Sequence, residues 1–481
     1  MNLIGTDRGI NMKTISWAYC LWLFLFLLLA IDSTCCNAAS RPNLISIVTD
    51  DQGRWAMGLY GNKQIHTPYM DQIGKQGAVF TNAFVATPVC SPSRATFLSG
   101  RYPTELRITD YISPDEAREG AGLHAPIWPA VLQKAGYRTA LIGKWHLGEQ
   151  ADFHPQKKGY DHFMGFLSGG TRPMDPILEI EGVTEKQAGP LPDLLVDNAI
   201  QFVRESKDRP FALCLHFRAP HTPYGPVPAE DSSHYEGIEI EMPIAEGLIP
   251  EQIKQKNKEY YASISSVDRN IGRLLKELDQ LQLTENTLVI FTSDHGYNNG
   301  RHGISTKGNG HWLAGGITGP KRPNMWDTSI RVPLVMRWPR VIQPGTRFDA
   351  MVSNVDMFKF VLGALDLLLP ENASLHGIDY SPLLFGKSIP ERTAIYGQYD
   401  LHNNGLAYMR MIRTEKWKFV KHYRARYMDE LYDLEADPDE TRNLIRRRMP
   451  PGSKDKAAEL EQQLIEWQKS IQDPILKPAY Q

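Results

Sequence analysis

The sequence has few cysteines, little net charge and only one long apolar run, and each shortage narrows the possible classes of protein. Of the 5 cysteines in 481 residues, only Cys90 and Cys214 lie beyond residue 40. A framework of several disulfides is therefore excluded, and we expect no disulfide. The formal net charge of -2 gives no electrostatic footprint for nucleic acid. We find no internal repeat and no low-complexity tract.

The one long apolar run lies close to the N-terminus. Lys13 precedes the apolar residues 21–31, and the small pair Ala38-Ala39 follows. This order predicts a signal peptide over residues 1–39, cleaved near Ala39. A membrane anchor is the alternative, but the run is shorter than a spanning helix needs. We therefore expect a periplasmic or secreted protein without stable membrane insertion.

Between residues 40 and 390, short apolar strands alternate with helical segments. Such alternation predicts an α/β fold, with a large and mostly parallel sheet sandwiched by helices. The longest helix is predicted over residues 258–281, where apolar residues recur at spacings of three and four. Other helices are predicted over 69–76, 129–135 and 194–206, and one more begins at about Ser93. Strands are predicted from Asn43 onward and over 78–86, 137–142, 211–217 and 287–293.

The pattern changes at about residue 391. Short strands at 394–399, 406–413, 417–422 and 430–434 follow one another through brief connections, and a helix at 454–471 comes last. Successive strands with short connections are typically antiparallel. We therefore predict a large domain over residues 40–390 and a small C-terminal α+β subdomain over residues 391–481.

Polar residues follow several of the predicted strands. Asp50 and Asp51 end the first strand, and Asp294 and His295 follow the strand over 287–293. Ligands in parallel sheets bind beyond the carboxyl ends of the strands. Because this set is rich in oxygen, it suits a hard divalent cation, Ca2+ first and Mg2+ second. Cationic and imidazole side chains at related positions are Lys144, His146 and His221.

Cys90 stands alone between Pro88 and Pro92, and Arg94 follows four residues later. The two prolines should hold the backbone out of helix until about Ser93. We therefore expect Cys90 just ahead of a helix N-terminus, where unpaired amides favour anions. From these residues alone, a nucleophile and a buried structural thiol are equally good interpretations.

The segment Cys90-Ser-Pro-Ser-Arg94, with Gly100-Arg101 behind it, resembles the signature of the type I sulfatases. The segment 430–444 also resembles the closing part of that family, so the resemblance runs from Arg41 to about Leu444. It implies an alkaline-phosphatase-like fold and a sulfate monoester as substrate. It also implies that a formylglycine-generating enzyme reads Cys-x-Pro-x-Arg and oxidises the cysteine to formylglycine.

The resemblance assigns roles to the candidate residues. One Ca2+ would be held by Asp50, Asp51, Asp294 and His295, with an oxygen of the modified Cys90 completing the shell. Many family members have Asn where this chain has His295. In the implied mechanism a hydroxyl of the hydrated formylglycine attacks sulfur, and Arg94 orients that hydrate. Lys144 contacts the sulfate. His221 protonates the leaving alcohol, and His146 acts as base in the second step.

A second sulfate-binding lysine has two candidates. Lys307 resembles the lysine used in one branch of the family, whereas Lys321 lies nearer the position used in others. We prefer Lys307. Substrate choice is expected to depend on loops at 152–176, 220–250 and 400–404.

The sequence thus predicts a sulfatase acting on a sulfated small molecule or glycan, most plausibly in polysaccharide degradation. One alternative is a phosphonate or phosphodiester hydrolase of the same superfamily. The other is a non-catalytic binder of sulfated glycans, although a binder has no need of an oxidisable nucleophile.

Overall fold

The computed structural model describes residues 1, 5, 41–314, 317–423, 429–445 and 448–477. The chain divides into two compact units, Met1–Arg41 and Pro42–Gln481. The predicted signal peptide lies outside the described residues except at Met1 and Gly5. All the strands described below belong to the second unit. The domain boundary predicted at residue 390 stays a prediction. Within the described ranges, no helix combines the length and apolar character needed to cross a membrane.

Sixteen strands are described, and they form two sheets and one hairpin. The strands are β1 (Asn43–Thr49), β2 (Ala78–Phe84), β3 (Arg138–Lys144), β4 (His162–Phe166), β5 (Ile177–Ile180), β6 (Val183–Lys186), β7 (Phe211–His216), β8 (Thr287–Ser293), β9 (His311–Ala314), β10 (Ile317–Lys321), β11 (Leu334–Arg337), β12 (Thr346–Ser353), β13 (Ala394–Leu401), β14 (Ala407–Thr414), β15 (Trp417–Tyr423) and β16 (Glu430–Asp433).

The large sheet has ten strands in the order β12-β2-β11-β8-β1-β7-β3-β4-β5-β6. Its centre, from β8 through β1, β7 and β3 to β4, is parallel throughout. β11 runs antiparallel to both β2 and β8, and β5 and β6 form an antiparallel edge. The mostly parallel sheet predicted from the alternating pattern is confirmed, and its parallel centre brings the ends of β1, β7, β3 and β8 to one edge.

Helices cover both faces of this sheet. They are α1 (Pro68–Lys75), α2 (Cys90–Ser99), α3 (Pro103–Leu106), α4 (Pro114–Arg118), α5 (Trp128–Lys134), α6 (Leu191–Ser206), α7 (Ala229–Ser232), α8 (Pro250–Gln280), α9 (Asp327–Ile330), α10 (Met357–Ala364) and α11 (Ser453–Ser470). Alternate residues of β1 point to opposite faces. Leu44 and Val48 join the core under α2, α5 and α10, whereas Ile45 and Ile47 join the core under α1, α6 and α8.

The C-terminal sheet is antiparallel in the order β13-β14-β15-β16, as the short connections predicted. The helix α11 covers it with buried Leu460, Leu464 and Trp467. The sheet contacts the segment after β2 through β13, because Gln398 donates its backbone N–H to Ala86 O at 2.8 Å.

Three helix starts were predicted wrongly by three residues or more. The helix α6 begins at Leu191, three residues before the predicted 194. Cys90 is the first residue of α2, with Val89 as N-cap, and does not lie ahead of the helix. Pro92 is tolerated because amides of a first turn need no helical acceptor. The helix α8 begins at Pro250, before the predicted 258, because its first two turns are mainly polar. The strands β4, β5, β6, β9, β10, β11 and β12 were not predicted.

Candidate active site

Three carboxylates and one imidazole converge beyond the ends of two adjacent parallel strands. Asp50 and Asp51 follow β1, and Asp294 and His295 follow β8. All four residues are at most 4% exposed. The Nε2 atom of His295 lies 3.8 Å from Asp50 Oδ1, 3.4 Å from Asp51 Oδ1 and 3.3 Å from Asp294 Oδ1. The predicted set is therefore brought together at one point.

The donors of this cluster fit a hard divalent cation. Asp50 Oδ1 and His295 Nε2 are buried and have no hydrogen-bond partner. His295 donates from Nδ1 to Gly296 O at 2.9 Å, which leaves the lone pair of Nε2 directed at the carboxylates. Ligand atoms of Asp50, His295 and Cys90 lie within 4.8 Å of one another. Buried ligand atoms without hydrogen-bond partners are suited to a metal ion. Because most ligand atoms of this cluster are carboxylate oxygens, they suit Ca2+ or Mg2+.

The thiol of Cys90 lies at the start of α2, beside this cluster. Its Sγ atom is 4.0 Å from Lys307 Nζ, and the residue is 4% exposed. Burial alone would raise the pKa of the Cys90 thiol. The nearby groups of Lys144, Lys307 and His146 lower it by more, so the pKa is well below its ordinary value. A buried thiol among cations is unlike an inert core thiol such as Cys214, whose pKa burial raises to about 12.

Arg94 points from α2 back into the carboxylates. Its Nε donates to Asp294 Oδ2 at 2.9 Å, and its guanidinium lies 3.9 Å from Asp50 Oδ2. A further N–H reaches the Lys144 carbonyl at 3.4 Å. Arg94 therefore holds the start of α2 against both carboxylate-bearing strand ends, one turn beyond Cys90.

Two lysines pair with the neighbouring carboxylates. Lys144 Nζ donates to Asp50 Oδ2 at 2.6 Å, and Lys307 Nζ donates to Asp51 Oδ1 at 2.6 Å. Burial raises the pKa of Asp50, but nearby positive charges, Lys144 foremost, outweigh it and hold the pKa well below its usual range. Lys321 instead donates to Asn309 O at 3.0 Å. Of the two candidate lysines, the structure places Lys307 beside the cluster.

Two histidines approach the cluster from different sides. His221 Nε2 lies 3.8 Å from Asp51 Oδ2, and its Nδ1 donates to Thr222 O at 2.8 Å. Burial lowers the pKa of His221 below its ordinary value. His146 contacts Ile112 O through Nε2 at 3.0 Å, and its Nδ1 has no partner. His146 lies close enough to Cys90 to lower the pKa of its thiol. His221 is partly exposed, with 29% of its side chain accessible, whereas His146 is buried.

Sequence reasoning missed residues that hold the candidates in place. Asn354 Nδ2 donates to Ser93 O at 3.1 Å, while Ser93 Oγ hydrogen-bonds the Asp294 carbonyl. His216 Nδ1 lies 3.4 Å from an Arg94 nitrogen. Arg218 donates to Pro223 O at 2.9 Å. A signal existed for His216 and Arg218, because both follow or end a strand that delivers a site residue.

A family model described as Sulfatase matches residues 42–367. The chain belongs to the sulfatase family. A second model, described as N-sulphoglucosamine sulphohydrolase, C-terminal, matches residues 320–470 of this sulfatase. The recognition made from Cys90-Ser-Pro-Ser-Arg94 is thus confirmed, and so is the assignment as a sulfuric ester hydrolase, an enzyme that hydrolyses sulfate esters.

Several known proteins resemble this sulfatase over most of its length. It is 30% identical to the steryl-sulfatase of Homo sapiens over 456 residues, covering 76% of this chain and 73% of that protein. It is 29% identical to the N-acetylglucosamine-6-O-sulfatase of Bacteroides thetaiotaomicron, covering 90% and 87%. A solved structure in complex with its substrate D-glucosamine-2-N,6-O-disulfate matches with a TM-score of 0.77 and 26% identity, covering 90% and 99%. This likeness confirms the predicted fold class.

Proposed function

We propose that this sulfatase removes sulfate from a sulfated carbohydrate, with Cys90 converted to formylglycine and one Ca2+ in the carboxylate cluster. The observation that carries the proposal is the position of Cys90. Its sulfur shares a ligand-sized cluster with Asp50 and His295 and lies 4.0 Å from the ammonium of Lys307. A nucleophile at this point has the metal ligands on one side and fixed cations on the other.

Asp50, Asp51, Asp294 and His295 would hold the cation, with Mg2+ as a weaker candidate. When bound, a hard divalent cation supplies charge against the non-bridging oxygens of the ester and lowers the pKa of a bound oxygen nucleophile. The unpartnered Asp50 Oδ1 and His295 Nε2 support this assignment, because each is a buried lone-pair atom with no hydrogen-bond partner among the described residues.

The segment Cys90-Ser-Pro-Ser-Arg94 supports the modification, which a formylglycine-generating enzyme would carry out. When formed, formylglycine supplies an oxygen nucleophile in its hydrated form. The cationic surroundings of Cys90 favour an anionic oxygen there, as they favour the thiolate. Arg94, fixed by Asp294, would keep that nucleophile oriented.

Lys144 and Lys307 would bind the sulfate oxygens, because their ammonium groups are buried and lie near Cys90. His221 would donate a proton from Nε2 to the leaving alcohol, since its Nδ1 is occupied by Thr222 O. Its lowered pKa makes the ring a stronger acid once protonated, and its partial exposure allows it to be reprotonated from solvent. His146 would accept the proton of the second step, and its unpartnered Nδ1 is the available atom.

A carbohydrate sulfate is the favoured substrate for two reasons. Relatives that match most of this chain carry the names N-acetylglucosamine-6-O-sulfatase and ulvan-active sulfatase. The solved structure with a TM-score of 0.77 holds D-glucosamine-2-N,6-O-disulfate as its substrate. An exported enzyme, as residues 1–39 predict, would meet such substrates as extracellular polysaccharide.

The experiment compares hydrolysis of matched esters by protein produced together with a formylglycine-generating enzyme. N-acetylglucosamine 6-sulfate and 4-nitrophenyl sulfate are compared with N-acetylglucosamine 6-phosphate and bis(4-nitrophenyl) phosphate. We expect sulfate release from the sugar ester and little turnover of the phosphates, with Cys90→Ala as the inactive control. A clear preference for either phosphate would contradict the proposal and favour the phosphodiester-hydrolase alternative.

A further inference from the structure

A cavity lies beside the segment that follows His221, the candidate acid. Its volume is about 840 Å³, and one wall is the segment Thr222–Val227, which begins at the residue after His221. The N-terminal part of α8 also lines the cavity and contributes Lys256 and Lys258. The cavity is therefore continuous in sequence with the group that would protonate the leaving alcohol.

The cavity is linked to the carboxylate cluster through a short chain of aromatic contacts. Tyr224 lines the cavity, and its ring lies 5.5 Å from that of Tyr260. Tyr260 in turn donates its hydroxyl to the Asp51 carbonyl at 2.6 Å. One layer of side chains thus separates the cavity from Asp51.

The lining combines the groups that bind an acidic sugar. Tyr224, Pro223 and Pro226 provide apolar surfaces on which sugar rings pack, and Glu236 and Glu259 offer acceptors to hydroxyls. Gln255 Nε2 already donates to Glu259 at 2.9 Å, so that carboxylate is held by a neutral partner.

Among the described residues, neither Lys256 nor Lys258 forms an ion pair with a carboxylate, whereas Lys254 does. Lys254 pairs with Glu239 and does not line the cavity. Positions 255, 258, 259 and 262 share one face of α8 that lines the cavity, and Lys256 also lines it. Lys256 also lies close enough to His311 to lower the pKa of that histidine, which places it toward the hairpin β9–β10.

We propose that this cavity binds the sugar next to the sulfated one in an oligosaccharide substrate, and that Lys258 and Lys256 bind an anionic group on that neighbouring sugar. The inference rests on the proposed function for its direction, since His221 marks the leaving-group side. The anionic group is a sulfate or a carboxylate, because an ammonium binds both. The enzyme then reads two charges on its substrate: the one it removes and the one beside it.

The first test measures binding and needs no turnover. Isothermal titration with unmodified protein uses three probes: a heparin-derived tetrasaccharide with sulfates and carboxylates, a heparosan tetrasaccharide with carboxylates only, and chitotetraose with neither. We expect the wild type to bind at least one acidic probe, and Lys256→Ala/Lys258→Ala to weaken that binding at least about tenfold. Binding of the heparosan probe identifies a carboxylate as sufficient, and binding of the heparin probe alone identifies sulfate.

The control is Lys254→Ala, which removes a lysine from the same helix outside the cavity. Equal weakening by Lys254→Ala, no weakening by the double variant, or no binding of either acidic probe to the wild type would overturn the inference.

A second test separates this inference from the proposed function. The double variant should hydrolyse 4-nitrophenyl sulfate, which has no neighbouring sugar, within about twofold of the wild-type kcat/KM, and should lose at least about tenfold on a sulfated oligosaccharide that the wild type cleaves. An equal loss on both substrates would contradict the cavity's role. A modified wild type that cleaves no sulfate ester would overturn the proposed function, while the titration would still decide what the cavity binds.

Discussion

The ammonium of Lys144 donates a 2.6 Å hydrogen bond to Asp50 Oδ2, and both side chains are fully buried. The ammonium of Lys307 lies at the same distance, 2.6 Å, from Oδ1 of Asp51, the residue after Asp50. Two carboxylate–ammonium pairs therefore lie beside Cys90. An anionic ester can be bound there because the lysines offset the carboxylates, and Lys144 holds the pKa of Asp50 well below its usual range, so that this carboxylate can bind a cation.

Removing the Lys307 ammonium should impair turnover strongly, whereas removing that of Lys321 should not. We expect Lys307→Ala to lower kcat/KM about 100-fold, because a buried fixed cation stabilises charge that develops in the transition state. Lys321, which donates to Asn309 O outside the cluster, serves as the matched control, and Lys321→Ala should cost less than about tenfold. Steady-state kinetics on a sulfate ester measure both variants, and the reverse ranking would reject Lys307 as the second sulfate-binding lysine.

Removal of the divalent cation should abolish turnover reversibly. Dialysis against a chelator should inactivate the enzyme, and Ca2+ should restore activity more fully than Mg2+ because the site offers several oxygen donors. Ca2+ at about 100 times its Kd should also stabilise the fold by about 2.7 kcal/mol. Asp294→Asn should remove this stabilisation, while the exposed Asp208→Asn should keep it. Full activity in the chelated enzyme, checked by metal analysis, would disprove the cation's role.

The effect of His221→Ala should depend on the leaving group. An alcohol of high pKa needs a proton as it departs, whereas 4-nitrophenolate does not. We expect a loss of at least about 100-fold on a sugar sulfate and a much smaller loss on 4-nitrophenyl sulfate. His146→Ala should lower both rates similarly, since its proposed step follows departure of the alcohol. Equal sensitivity of both substrates to His221→Ala would assign the acid elsewhere.

His302 should make the fold sensitive to acid. Burial, with the charges of Lys418 and Arg322 adding to it, lowers the pKa of His302 to about 4, and Glu430 opposes the shift. A depressed folded-state pKa means that stability is complete above the unfolded value near 6.5 and is lost as pH falls toward 4. The total loss is up to about 3 kcal/mol.

The substitution His302→Phe keeps the stacking on Trp326, whose ring lies 4.1 Å from that of His302. Urea unfolding between pH 7.5 and pH 4 should show a smaller fall in the free energy of unfolding for this variant than for the wild type. Parallel curves for the two proteins would show that His302 is not the acid-sensitive group.

The candidate site was largely predictable because it follows from the geometry of parallel strands. Asp50, Asp51, Asp294 and His295 each follow an apolar strand, and adjacent parallel strands bring such residues to one edge. The signature around Cys90 then added the nucleophile. The C-terminal antiparallel sheet could also be predicted from the sequence, because short turns between successive strands leave few other ways to pair them.

The supporting contacts were not predictable because they join distant parts of the chain. Asn354 reaches Ser93 across 261 positions, and His216 reaches Arg94 across 122. No local pattern encodes such a pairing. The strand β11 was missed for a related reason: it is only Leu334–Arg337 and owes its place to the neighbours β2 and β8. The start of α8 was missed because Ile253 is the one apolar residue of its first turns to be buried.

The most direct test of the account is the chemical state of Cys90. Protein made together with a formylglycine-generating enzyme is cleaved with trypsin, and the peptide from residue 76 to Arg94 is weighed by mass spectrometry. We predict the mass of an aldehyde in place of the thiol. Arg94→Ala lacks the trypsin site at residue 94, and there we predict an unmodified thiol in the longer peptide that ends at Arg101. An unmodified thiol in protein that still hydrolyses sulfate esters would contradict the formylglycine mechanism.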